Sequence, residues 1–177
     1  IDELAALARE VKQRFPRHVV LNVTPFVPKA HTPFERVALT PTEALDERLV
    51  RLRAGLRSTR IELRAEGVQQ ARAQAILARG DRRVGEVLAT MPRPHWQRLE
   101  RALARAGIDT GDYVQARPAD QELPWAVVDS GMTAQYRTLE YRKSVSGEPT
   151  APCPPDRAGC CRCGVCGPSD GRHGGDA

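Results

Sequence analysis

The chain has 177 residues, is 41% hydrophobic and carries a formal net charge of +5, enough apolar material for one ordinary domain with a core. No apolar run approaches the roughly 20 residues that a membrane-crossing helix needs, and no basic start, short apolar stretch and small-residue cleavage site marks a secretory signal. The expectation is a cytoplasmic protein with no membrane partner.

Residues 2–15, DELAALAREVKQRF, place Leu4, Leu7, Val11 and Phe15 at helical spacing, and Pro16 stops that helix. A helix pattern already mature at an initial Ile leads us to expect a fragment cut inside a domain. HVVLNV follows, an apolar run short enough for a buried strand of a parallel sheet. From Thr40 to Ser58 a second helix is expected, with Thr40 as cap, Pro41 in the first turn and Glu43 completing a capping box. Its stripe is Leu45, Leu49, Leu52 and Leu56. IELRA (61–65) alternates as a short strand. Val68 to Ala78 reads as a helix, and Asp81 caps another with Val84, Val87, Leu88 and Met91 inward. HWQRLERALARAG is a helix stopped by Gly107. LPWAVVD has some strand character, with Trp125 a buried anchor whose N–H needs a partner, and TAQYRTLEYRKS reads as a helix.

The segment NVTPFVPKAHTPF (22–34) packs three prolines and two phenylalanines into thirteen residues. Proline removes a ladder donor, so Pro25 and Pro28 mark where the strand leaves its sheet. Asn22, Thr24 and Phe26 then alternate on one side, with Val23 and Pro25 on the other. Ligands bind at the C-terminal ends of parallel strands, although the same pattern suits a strand and a fixed loop that only packs a rim. His31 is the one histidine worth testing as an acid/base group; His18, His95 and His173 read as surface or strand-start residues.

All five cysteines fall between Cys153 and Cys166, which argues for metal or redox chemistry over a disulfide framework. Cys160, Cys163 and Cys166 give C-x2-C-x2-C, the opening spacing of bacterial ferredoxin loops, but Asp170 stands where that pattern would place its next cysteine. Cys153 would therefore be the fourth ligand, with Cys161 left over. Zinc could use the same thiolates, and CGVC also has redox-dithiol spacing. In ARGDRRVGEVL (78–88), Gly80 breaks a helix and Asp81 caps the next with Arg79, Arg82 and Arg83 solvated; alternatively the three arginines converge on an anion. Elsewhere the basic residues are mostly arginines interleaved with acids, as on solvated helix faces, so RNA is not the expected partner.

NVTPFVPKAHTPF resembles the last-strand segment of radical SAM proteins. It is closest to a group carrying an N-terminal cobalamin-binding domain. ARGDRRVGEVL, LPWAVVDSGM (123–132) with LEYRK (139–143), and CCRCGVC (160–166) match the same group in the same order; Ala30 stands where a proline is usual. The resemblance implies an enzyme that reductively cleaves S-adenosylmethionine on a 4Fe-4S cluster. It carries the adenine and ribose contact onto Val23, Thr24, Phe26 and Val27. The cluster motif C-x3-C-x2-C is not in this sequence, since no two cysteines stand four positions apart. The barrel's first part, its cluster and any cobalamin site would thus lie in an N-terminal portion, and this chain alone would be inactive.

The expected fold is an α/β fragment. The last strand and helices of a partial radical SAM (βα) barrel occupy 1–58, and a mainly helical accessory domain occupies 59–147. A Cys-rich tail, 148–177, binds an auxiliary iron–sulfur centre or zinc through Cys153, Cys160, Cys163 and Cys166. The competing expectation is a stand-alone Arg-rich module that binds RNA or protein, with a zinc-stapled tail.

Overall fold

The computed structural model describes residues 1–93, 95–154 and 160–166; His173, Asp170 and the DGRHGGDA ending lie outside them. Contacts divide the chain into two units. The first combines Ile1–Val27 with Ala38–Gln115, and the second combines Pro28–Val37 with residues from Ala116 onward. No helix among the described residues is long and apolar enough to cross a membrane.

In the first unit, α1 (Asp2–Arg14) leads into β1 (Val19–Val23), and α2 (Thr42–Leu56) returns the chain to β2 (Ile61–Ala65). The strands pair in parallel, Val19 opposite Ile61 through Val23 opposite Ala65, which makes β1–α2–β2 a βαβ unit. Leu52 and Leu56 of α2 meet Ala5 and Ala8 of α1 over Leu21, Val23, Ile61 and Leu63. Small residues set this approach: a Cβ on Gly55 would lie 3.1 Å from that of Ala5.

Two expectations change here. The α2 helix begins at Thr42 with Pro41 as its N-cap at ψ 143°, an extended backbone, and no side chain caps it; Thr40 is therefore one residue too early. More consequentially, α1 buries Ala5 and Ala8 and leaves Leu7, Val11 and Phe15 exposed. Of its expected stripe Leu4 alone packs against the core, partly buried, and the strands are half-buried rather than covered.

The rest of this unit is helical: α3 (Val68–Arg79), α4 (Arg82–Thr90), α5 (Trp96–Arg105) and α6 (Gly111–Val114). Ala73, Ile76, Val84, Val87, Leu99, Leu103 and Tyr113 form its core. Asp81 caps α4 as expected, its Oδ1 accepting from the Arg83 N–H at 2.9 Å. Gly107, at φ +72°, follows α5 in the left-handed conformation that glycine takes without strain.

In the second unit, α7 (Ala134–Ser146) is capped by the Thr133 hydroxyl, which accepts from the Tyr136 N–H. LPWAVVD is not a strand. Ala126 N–H donates to Leu123 O and Val128 N–H to Trp125 O, two successive tight turns that swing Trp125 inward.

Leu52 is fully buried, so Leu52→Ala should cost about 2–5 kcal/mol. Val11→Ala, at an exposed position of α1, should stay within about 0.5 kcal/mol. Urea denaturation of the two variants measures both.

Candidate functional site

Three places carry chemistry. The first is the exit of β1. Asn22, Thr24 and Phe26 are exposed while Val23, Pro25 and Val27 are half-buried, the alternation that the pleat imposes. Of the four residues carried over as nucleoside contacts, Thr24 and Phe26 thus share the exposed side, and Val23 and Val27 turn the other way. Val23 packs in the sheet core, and its carbonyl accepts from the Glu66 N–H at 3.0 Å, so that oxygen continues the ladder. A nucleoside fits the Thr24 and Phe26 side in kind: a hydroxyl, and a ring that is 58% exposed, both held by proline-fixed backbone.

The second place lies within the second unit and centres on Glu35. This carboxylate is 6% exposed and takes three donors. Its Oε2 accepts from the His31 backbone N–H at 3.0 Å and from Trp125 Nε1 at 2.8 Å, and its Oε1 from Arg137 Nε at 2.8 Å. The indole N–H thereby finds the partner its burial demands. Arg137 Nη1 also donates to Met132 O at 2.6 Å, and the Arg117 guanidinium lies 5.3 Å over the Trp125 ring, within cation–π range. Against this network opens a cavity of about 360 Å³ lined in part by His31, Arg36, Trp125, Asp129, Met132 and Arg137. His31 holds φ +58°, a conformation that costs a non-glycine residue about 1–3 kcal/mol; its N–H to Glu35 helps to hold it there. Arg36 Nη1 donates to Gln121 O at 3.0 Å and also to Pro118 O.

Sequence reasoning reached His31 and Trp125 but missed Glu35, Arg36 and Arg137. The signal for Glu35 was its place directly after HTPF, one residue beyond the stretch that drew attention. Arg137 left none, because its partner is 102 positions away.

The third place is the cysteine loop. Cys153, Cys160, Cys161 and Cys166 are exposed, Cys163 is half-buried, and all five thiols are unpaired by disulfide. The loop is seated: Thr133 N–H donates to Cys163 O at 2.8 Å, and Cys160 Sγ accepts from the Arg162 N–H at 3.4 Å. Gly164, at φ +94°, comes so close to Gly131 that a Cβ there would stand 2.2 Å from the Gly131 oxygen. Desolvation pushes the Cys153 thiol up, and the charges of Cys161, Cys163, Cys166 and Cys160 push it further. Desolvation also raises the Tyr136 hydroxyl, with a hydrogen bond to Cys161 and the charges of Cys161, Glu140 and Cys163 adding to it, to about 12.

A Cys153 thiol raised by desolvation and by the charges of its four neighbours suits a thiophilic cation in kind, because a bound cation reverses that repulsion. The thiol positions are not those of a closed site: among the described residues no three His, Cys, Asp or Glu side chains are set to hold a metal ion.

The arginines of ARGDRRVGEVL have separate settings. Arg83 pairs with Asp81, holding the Asp81 carboxyl below its usual range chiefly through that side-chain hydrogen bond. Arg79 is fully buried, not solvated, and donates to Gln115 O at 2.8 Å, while Arg82 is exposed. The three do not converge.

Glu35→Ala leaves the Arg137 charge and the Trp125 N–H without their carboxylate, and should cost about 3–5 kcal/mol, read by urea denaturation with near-ultraviolet circular dichroism on the indole. Gly164→Ala forces strain of about 1–3 kcal/mol and a clash with Gly131. It should speed hydrogen exchange at the Thr133 amide and leave the Trp125 signal unchanged. No protein-family model, no curated protein and no solved structure matches this chain.

Proposed function

We propose that the chain is the C-terminal part of a radical SAM enzyme. S-adenosylmethionine would be cleaved reductively on a 4Fe-4S cluster held by an N-terminal part, which would also hold any cobalamin. The observation that supports this reading is the βαβ unit, whose first strand ends in prolines and presents Thr24 and Phe26 on one exposed side. The exposed Leu7 and Val11 of α1, with Phe15 just beyond its end, agree with it, because parallel sheets are normally covered on both faces and a two-stranded piece is marginal by itself. In this reading the Phe26 ring stacks on the adenine and the Thr24 hydroxyl bonds the ribose. Pro25 and Pro28 restrict the backbone between them, and Val23 ties the strand to β2.

Cys153, Cys160, Cys163 and Cys166 would hold an auxiliary iron–sulfur centre, or zinc. An iron–sulfur centre supplies one-electron transfer; zinc supplies a structural staple. The seating of Cys163 and Gly164 on Thr133 and Gly131 fixes where such a loop sits within its unit.

The test uses the polypeptide extended upstream of Ile1 and reconstituted anaerobically. It should release 5′-deoxyadenosine from S-adenosylmethionine. Phe26→Ala should raise the concentration needed for half-maximal release about tenfold, since one stacked base contributes roughly 1–3 kcal/mol. An upstream region without C-x3-C-x2-C, or no 5′-deoxyadenosine, refutes the reading. Metal analysis of the tail decides the rest: iron with sulfide supports the auxiliary iron–sulfur centre, and a colourless zinc-loaded product identifies a zinc staple.

A further inference from the structure

The cavity beside Glu35 invites a second question, independent of the radical reading: what would occupy it? Its volume of about 360 Å³ is at the small end of small-molecule sites. Its wall mixes apolar surface from Leu123, Trp125 and Met132 with the side chains of His31, Arg36 and Arg137.

The charges decide the ligand class. Arg137 is matched by the Glu35 carboxylate behind it. Arg36 has no such match: its Nη1 donates to two backbone carbonyls, Pro118 O and Gln121 O, and it makes no ion pair among the described residues. Carbonyl oxygens fix a guanidinium in place but leave its charge uncompensated. Nη2 of Arg36, Nη2 of Arg137 and the His31 ring carry no hydrogen bond to a described residue, so each retains hydrogen-bonding capacity. Two acids also line the cavity, Glu122 and Asp129. Both are exposed, neither pairs with either arginine, and Asp129 Oδ1 already accepts from the Gly131 N–H. Solvated charges of that kind are screened by salt, whereas the half-buried guanidinium is screened less. Ala134, the first residue of α7, is on the same wall, so the positive end of that helix adds to the potential.

His31 adds a further polar group to the same wall. It holds φ +58°, in the left-handed region where histidine is among the enriched non-glycine residues. Its backbone N–H donates to Glu35 Oε2 at 3.0 Å, which fixes where the residue lines the cavity.

We propose that this cavity binds the oxyanion group of a small molecule, a phosphate or a carboxylate. Arg36 and Arg137 bind the anion through their Nη2 edges, His31 binds beside them, and Trp125 and Met132 face the ligand's apolar part.

The chain contains two tryptophans, Trp96 and Trp125, so in a Trp96→Phe background Trp125 alone reports on the cavity. Its fluorescence is followed while inorganic phosphate, and separately malonate, is added at constant ionic strength, with sodium chloride as the control. The proposal expects a saturable change with at least one of the two anions and none with chloride. The better-bound anion identifies the source as phosphate ester or carboxylate. Arg36→Gln should weaken that binding about tenfold or more, the effect of losing a charge-assisted hydrogen bond. His31→Asn keeps a side chain that tolerates left-handed backbone, and should weaken binding without lowering the melting temperature. It therefore tests the site even if Arg36→Gln does not fold. Absence of a saturable response to either anion overturns the proposal. So does unchanged binding in a folded Arg36→Gln variant, or in His31→Asn if Arg36→Gln does not fold.

Discussion

A carboxylate withdrawn from water must have its lone pairs filled, and Glu35 meets that demand with partners drawn from three stretches of chain. The desolvation of such a group costs several kcal/mol unless a cation and further donors surround it. Arg137 supplies the cation from α7, Trp125 the indole N–H from the double turn before it, and His31 a backbone N–H from the turn just upstream. Each partner fixes one element of the second unit. Without the carboxylate, the indole N–H, the guanidinium and the strained His31 backbone would each lose a common acceptor.

Much of the first unit was legible because its signals are local. Proline ends α1 and β1, Asp81 caps α4 within its own turn, Gly107 closes α5, and IELRA alternates as a strand should. The periodicity of α1 was legible too, but not the face that packs. Leu7, Val11 and Phe15 look like the inner face because they are large. The neighbouring helix instead takes Ala5 and Ala8, since a glycine at position 55 permits close contact only with small side chains. Hydropathy ranks residues by size and polarity; close approach selects them by what can be left out.

In the second unit α7 was legible in TAQYRTLEYRKS and Trp125 as a buried anchor. The turn 123–128 was not: it contains the residues of a strand, while the Trp125 indole bonds Glu35, 90 positions earlier. Residues 129–134 then serve two neighbours at once. Asp129, Met132 and Ala134 face the cavity, while Gly131 and Thr133 seat the cysteine loop. One short strap of backbone thus borders both the cavity and the loop.

The second unit is assembled from Pro28–Val37 and residues from Ala116 onward, with most of the first unit encoded between them. On a ribosome adding about 5–20 residues per second, roughly 5–20 s separates synthesis of Glu35 from that of Arg137. Until Trp125 is made the early segment has neither its indole nor its guanidinium, and until Arg137 is made it lacks the guanidinium. The partners of Glu35 are thus completed only after every residue of β1, α2 and β2 has been synthesised.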